Sequence, residues 1–360
     1  MSPAADLASS PEIDKLIGQN APIAVGVSGG KDSQAAALAV YARLATVGHT
    51  GPKVLIHSDL GSTEWKDSLP MCQRLANHLN TELIVVRRRA GDMMDRWEAR
   101  WQSSVRRYAD LETVTLVLPW STPGMRFCTS ELKTHVITAE LRRRFPFETI
   151  VSVTGVRRAE SSARSRGTIA SLSVDGRMWT WRPLSDWSTE QVIACVLGHG
   201  LELHPAYTQF GLRRVSCRFC IMSGLQDLRA AAAVSESADL YRAMVGLEIR
   251  STFPFQSKRW LGDIAPSLLS GAPQVALQEA KEKATARQAL EAMLTKDMLY
   301  VKGWPQRMLT DAEAAVLAHV RTGVSALLNI QAHYLDVTSI HARYARLMQE
   351  HTRQGVLWAS

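Results

Sequence analysis

Between residues 22 and 156 the chain alternates short apolar, β-branched runs with longer stretches whose apolar residues recur every three or four positions. PIAVGV (22–27), KVLIHSD (53–59), TELIVVR (81–87), TLVLPW (115–120) and TIVSVTGV (149–156) read as strands, and segments such as WKDSLPMCQRLANHLN (65–80) read as the helices between them. This alternation predicts an α/β fold, a doubly wound parallel sheet with ligands at the C-terminal ends of its strands. After SCRFC (216–220) the texture changes. DLRAAAAVSESADLYRAM, QVALQEAKEKATARQALEAML, DAEAAVLAHVRTGVSALL and SIHARYARLMQE are all helix-like, with a loop around 270–273. The expected division is an α/β domain over 1–225 and a helical C-terminal region over 226–360. No internal repeat is visible.

At the first junction, PIAVGVSGGKDSQAAALAVYARL (22–44), a strand passes through Ser28-Gly29-Gly30-Lys31-Asp32-Ser33 straight into an alanine-rich helix. A glycine turn at a helix start aims backbone N–H groups at one spot, and the helix dipole makes that spot attractive to phosphate. Gly29 and Gly30 permit close approach, Lys31 supplies countercharge, and Ser28 and Ser33 can donate hydrogen bonds. An ordinary strand-to-helix turn needs the glycines but not the lysine and the two hydroxyls. The spacing is not that of a Walker A loop.

The formal charge of +8 and a pI near 9.4 agree with an anionic partner, a nucleotide, a nucleic acid or both. Arg87 to Arg89, Arg142 to Arg144, Arg157, Arg158, Arg164 and Arg166 all precede residue 170, which assigns the anion to the N-terminal domain. With 46% apolar and 21% charged residues the composition is that of a folded globular chain. No apolar run is long enough for a bilayer and the start lacks the regions of a secretory signal, so the expectation is a cytoplasmic protein with no membrane partner. Five cysteines in such a chain argue against a disulfide framework and for thiols that are buried, metal-bound or catalytic.

SGGKDS (28–33) resembles the PP-loop of the adenine nucleotide α-hydrolase superfamily, whose members cleave ATP between the α and β phosphates. HSDLGSTEW (57–65), RFCTSELK (126–133), TGVRRAESSARSR (154–166), WRPLSDWSTEQV (181–192) and the HPAY…SCRFC run (204–220) follow in family order. They narrow the likeness to the branch containing phosphoadenosine phosphosulfate (PAPS) reductases and the ATP-pyrophosphatase component of DNA phosphorothioation systems (DndC-like and SspD-like proteins). The resemblance covers roughly residues 22 to 224. It implies ATP and Mg²⁺ as cofactors. It implies as partners DNA or another nucleic acid and a sulfur-donor protein such as a cysteine desulfurase.

Against that background each motif residue acquires an expected role. Ser28 to Ser33 hold the phosphates, with Lys31 catalytic. Asp59 closes a strand where a hard carboxylate suits magnesium, and Asp32 is either a second such ligand or a first-turn acid complementing the helix dipole. Arg157 and Arg164 are candidate phosphate clamps, oriented by Glu160, or else parts of a solvated basic loop. Lys133 is, by resemblance, a second cation on the nucleotide side. Cys217 and Cys220 form C-x-x-C, and Cys128 lies in the segment that supplies the other half of a cluster site in the reductases. Three thiolates can hold a [4Fe–4S] cluster with one iron open; zinc with His199 or His204 as fourth ligand is the runner-up, and plain thiols the third reading. Cys72 and Cys195 are expected in the core. In RWEARWQSSVRRY (96–108), Trp97 and Trp101 share a helical face, which fits a core better than a nucleic-acid stacking surface.

No cysteine follows Cys220, whereas PAPS reductases of this family use one near the C-terminus. The functional expectation is therefore an ATP pyrophosphatase that adenylylates an acceptor for sulfur incorporation, most plausibly the DNA backbone. The alternatives are a PAPS or adenylyl-sulfate reductase and a non-catalytic nucleotide-binding subunit of a sulfur-transfer complex.

Overall fold

The computed structural model describes residues 6–359. In chain order its main elements are α1 (Pro11–Gly18), β1 (Ile23–Val27), α2 (Lys31–Thr46), β2 (Lys53–Asp59), α3 (Ser68–His78), β3 (Glu82–Arg87), α4 (Met93–Ala109), α5 (His135–Arg144), β4 (Ile150–Val153), β5 (Ala170–Leu172), β6 (Met178–Trp181), α6 (Thr189–Gly198), α7 (Leu225–Ala233), α8 (Ala238–Ser251), α9 (Ala272–Glu291), α10 (Asp311–Leu328) and α11 (Val337–Ala359). The chain separates into two compact units, Met1–Met93 with Pro123–Ser237, and Met94–Thr122 with Ala238–Ser360. The separation differs from the expected cut at 225/226. Helix α7 stays with the first unit, and residues 94–122 join the second.

In the first unit a six-stranded sheet runs in the order β3-β2-β1-β4-β6-β5. Its first five strands are parallel, and β5 pairs antiparallel with β6 at one edge. Alternate residues serve opposite faces, as a period of two requires. Ile23, Val25, Val27, Leu55, Val151 and Val153 pack with the apolar residues of α1, α2, α3 and α6, whereas Ala24, Val54, Ile56 and Ile150 pack with Leu141 of α5 and Phe145. The doubly wound parallel sheet is thus the one expected. The chain leaves β1 toward β2 and β3 on one side and later returns to β4 on the other, which makes the β1–β4 crevice the switch point where such sheets hold ligands.

The strand expected at TLVLPW does not form. Trp120 instead packs edge-on against Trp97 and Phe255, with centroids 5.2 Å from each, and its indole N–H donates to the Phe253 carbonyl at 3.0 Å. Trp97 and Trp101 are buried as well, so the tryptophan face of α4 is core. The sheet position beside β4 goes to β6, MWTW, which the alternation did not single out.

Fully buried Arg321 of α10 explains why residues 94–122 belong with the C-terminal helices. Its guanidinium donates to the carbonyls of Tyr108 (2.8 Å), Ala109 (3.1 Å), His333 (2.5 Å) and Tyr334 (3.0 Å). It thereby adds a donor to carbonyls at the end of α4, where Tyr108 also accepts the Leu111 N–H (3.1 Å) and Ala109 the His333 N–H (2.9 Å). Arg343 donates to Asp110 and Tyr300 to Leu111 in the same way, at 3.0 Å each. Arg321→Met would remove a charged donor from all four carbonyls, and about 3 kcal/mol of stability should be lost. Urea unfolding followed by circular dichroism checks this; an unchanged midpoint would mean that the guanidinium contributes no net stability.

Candidate functional site

The turn after β1 is built as the sequence implied. Gly29 has φ +72°, and a Cβ there would lie 2.9 Å from the Ser68 carbonyl oxygen, so only glycine fits. Ser33 Oγ donates to the Gly30 carbonyl (2.9 Å) and accepts the Ser28 N–H (3.2 Å), while the Gln34 side chain donates to the Gly29 carbonyl (3.0 Å). The loop is tied down by its own side chains before any ligand arrives.

Lys31, Asp32 and Arg157 form a chain of charge across the β1–β4 crevice. The Lys31 ammonium lies 3.1 Å from Asp32 Oδ2, and Arg157 Nε donates to Asp32 Oδ1 at 2.6 Å. Lys31 and Arg157 are only 7% and 4% exposed. Arg157 Nη1 also donates to the Trp187 carbonyl (3.2 Å). The approach is possible because residue 155 is glycine: a Cβ there would sit 2.4 Å from the Asp32 carbonyl oxygen. Both Asp32 carboxylate oxygens are thus engaged by cations, which suits the dipole-and-counterion role better than a magnesium ligand. Arg164 pairs with Glu160, whose carboxylate also accepts the Arg157 N–H at 2.9 Å.

Asp59 ends β2 on the same sheet edge. Its Oδ1 accepts the Gly61 N–H at 2.7 Å, while Oδ2 has Arg87 only at 3.9 Å. One oxygen is therefore available to a hard cation. Magnesium is commonly held by one or two carboxylates plus phosphate oxygens, so the fit is adequate with Asp59 as the protein ligand.

The cysteines meet a different outcome. Cys128, Cys217 and Cys220 are half-buried free thiols, and Lys133 and Glu64 lie within electrostatic reach of Cys217. Its surroundings push the Cys217 thiol up, burial of the sulfur first, with Lys133 pulling it down and the Cys220, Cys128 and Glu64 neighbours raising it further. Among the described residues no group of three His, Cys, Asp or Glu side chains is arranged to hold a metal ion. The expected [4Fe–4S] or zinc site is thus unsupported. His204, one of the two candidate fourth ligands for zinc, has both nitrogens in use, Nδ1 accepting from Ala206 N–H (3.0 Å) and Nε2 facing Ser68 Oγ (3.3 Å), and burial lowers its pKa. His199 Nδ1 is held at the Cys195 carbonyl of its own helix (2.8 Å). Cys72 is buried in the main core and Cys195 packs at its margin.

The arginine triplet at the end of α5 is drawn into ion pairs, Arg142 with Asp175, Arg143 with Glu140 and Arg144 with Glu82. Arg126, Arg166 and Arg214 are instead exposed, and Arg214 immediately precedes Val215, which faces Gly30 of the loop.

A second cluster that the motifs did not single out sits beneath the loop. His57 Nδ1 donates to the Val27 carbonyl (3.0 Å) with Cys72 Sγ at 3.7 Å, and its Nε2 lies 3.3 Å from Glu64 Oε2. Burial alone lowers the His57 pKa, but the Cys72 contact and the Glu64 carboxylate overcome it and push it up to about 10. The signal available in sequence was its place at the end of β2, next to the loop strand.

Compared with known proteins, residues 22–223 match the family model of the phosphoadenosine phosphosulfate reductase domain. A 37.8 kDa protein of Escherichia phage 186 is 30% identical over 110 residues, 29% of this chain and 32% of that protein, so the chain spans about a third of that relative's length. Among solved structures it is similar to PAPS reductase from Candida auris in a phosphate complex (12% identity, TM-score 0.37, 59% of this chain and 98% of that one). It is also similar to NAD⁺ synthetase from Burkholderia pseudomallei (15% identity, TM-score 0.33, 52% and 70%). Among the described residues no helix is long and apolar enough to cross a membrane.

The raised His57 pKa gives a pH test. Its folded value lies above the ordinary 6.5, so its contribution is fully present below about pH 6.5 and is lost as pH rises toward 10. Denaturant unfolding between these limits should show wild-type stability declining relative to His57→Gln. Parallel profiles would mean that His57 is neutral in the folded protein.

Proposed function

Because the chain belongs to the phosphoadenosine phosphosulfate reductase domain family of PP-loop, nucleotide-using enzymes, we propose that it cleaves ATP at the α,β bond and adenylylates an acceptor for sulfur incorporation, the acceptor being the DNA backbone. The observation that carries this reading is the loop Ser28 to Ser33 at the switch point, with a buried lysine whose ammonium is held at the helix start.

In this reading the pyrophosphate end of ATP lies on the N–H groups of Gly30 to Ser33. Lys31 balances the charge that develops on the departing pyrophosphate, and Arg157 keeps Asp32, and through it Lys31, in place. Magnesium, when bound at Asp59 and the phosphates, supplies electrophilic polarisation of the phosphate oxygens. The chain's remaining contribution is positioning for in-line attack on the α-phosphate. Chemistry at the cysteines enters after activation and needs no cluster in this scheme. DNA fits the net charge of +8 and the exposed Arg126, Arg166 and Arg214, which would track the phosphates flanking the activated one.

Pyrophosphate release from ATP, with and without DNA, tests the proposal. Lys31→Ala should slow release by about 100-fold, the scale of losing one transition-state partner, while the far-ultraviolet circular dichroism stays that of wild type. Normal release from that variant sinks the assignment of Lys31. Release with PAPS but not ATP would favour the reductase reading. For the acceptor, Arg166→Glu and Arg214→Glu should each reduce the salt dependence of DNA binding by about one unit of slope, whereas Arg142→Glu should do less because its charge is already paired. DNA binding that ignores salt would point to a small-molecule acceptor.

A further inference from the structure

The segment from His204 to Cys220 packs on the anion loop. The His204 ring lies against Gly29, where a Cβ would come within 3.3 Å of it, and Val215 faces Gly30, where a Cβ would meet the Val215 side chain at 3.5 Å and the Tyr207 hydroxyl at 3.4 Å. The Tyr207 hydroxyl oxygen accepts two backbone N–H groups, that of Lys31 at 3.4 Å and that of Val215 at 3.3 Å. The Lys31 ammonium sits 4.9 Å from the centroid of the same ring.

Lys31 is the first residue of α2, so its N–H is one of the donors that a helix start leaves without an internal partner. An anion at the loop would take it. Tyr207 fills with a neutral oxygen, at a long distance, a position that a phosphate oxygen would fill with a stronger, charge-assisted bond. Val215 lies two residues before Cys217. On the other side of Cys217 the chain is fixed, because the Arg218 N–H donates to the Thr63 carbonyl (2.9 Å) and its buried guanidinium to the carbonyls of Glu64 (2.9 Å) and Glu236 (2.8 Å). Cys217 therefore lies between one restraint, the Val215 bond to Tyr207, that is linked through the same hydroxyl to the loop N–H a phosphate would take, and one that has no such link. Cys220 lies beyond both.

We propose that Tyr207 is a positioning residue that couples the anion loop to the thiol turn: phosphate at the loop takes over the Lys31 N–H, Tyr207 and Val215 are released, and Cys217 becomes accessible while Cys220 stays as it was. The coupling rests on the reading of Ser28 to Ser33 as a nucleotide loop. It gives the chain two states that ATP distinguishes, which is what linkage between two sites requires. It also orders the chemistry, since the half-buried thiol becomes more accessible when the nucleotide is in place.

The test is the iodoacetamide alkylation rate of each cysteine in the full-length protein, read by peptide mass mapping with and without ATP and magnesium, with fully buried Cys72 as the internal standard. ATP binding is measured separately by equilibrium dialysis. In wild type, ATP should speed Cys217 alkylation by about fivefold or more, the lower end of typical coupling between sites, and leave Cys220 unchanged. Tyr207→Phe keeps the ring and loses the hydroxyl. It should bind ATP within about tenfold of wild type, and its Cys217 should react at the fast rate whether or not ATP is present. ATP that binds wild type without changing Cys217, or a Tyr207→Phe protein that keeps the full ATP response, overturns the coupling while leaving the nucleotide reading intact. Absence of ATP binding to wild type overturns the nucleotide reading, and the coupling with it.

Discussion

The contact between Arg157 and Asp32 is the constraint on which the rest of the first unit depends. A guanidinium removed from water is strongly unfavourable unless it is paired and its donors are filled. At Arg157 the partners are the Asp32 carboxylate at 2.6 Å and the Trp187 carbonyl at 3.2 Å. Those three residues come from the loop after β4, the start of α2 and the turn before α6. A single buried cation thus joins the two sides of the switch point, and Gly155 is what lets the backbones come close enough for it to do so. Removing either charge would strand the other at the crevice where a ligand is expected.

The same pairing changes what the site residues can do. Taken one by one, Arg157 reads as a phosphate clamp and Asp32 as a metal ligand, because guanidinium forks suit phosphate and carboxylates suit magnesium. Taken together they neutralise one another and hold Lys31, so the cation closest to the loop is set in place by a counterion network. Residue type identifies the groups that gather at a site. It does not reveal which of them satisfy each other, since that depends on close approaches between segments more than a hundred residues apart in sequence.

How far the fold was legible follows the same logic. β1, β2 and β4 announce themselves because strands buried on both faces are continuous apolar runs, and the edge strand β3 does so through its mostly β-branched run Leu83 to Val86, although only Ile84 in it is fully buried. The short pair β5 and β6 lies toward the sheet edge, and Met178–Trp181 mixes tryptophans with threonine, so neither strand stands out. TLVLPW has the composition of a strand, yet its tryptophan closes an aromatic cluster with Trp97 and Phe255 instead. Residues 94–122 looked continuous with the α/β alternation because α4 follows β3 as a crossover helix would. Their true company is decided by Arg321, which lies over two hundred residues away in sequence. Of the candidate site, Ser28 to Ser33 was readable because a glycine turn, a lysine and a helix start are local features. The pairing of Arg157 with Asp32, the Tyr207 bridge and the His57 cluster were not.

The resting loop has few unmet needs. Ser33, Gln34 and Tyr207 take up hydrogen-bonding groups of the turn, and Asp32 takes the Lys31 charge. A ligand arriving here gains only the difference between its own bonds and those it replaces, which is small for neutral partners and larger for an anion. A loop with internal partners of this kind discriminates by charge. A neutral ligand merely exchanges one neutral hydrogen bond for another, whereas a polyphosphate brings charge-assisted bonds to the backbone N–H groups and a second claimant for Lys31. A preorganised turn of this kind favours an anion over a neutral ligand, because only the anion gains charge-assisted bonds over the ones it replaces.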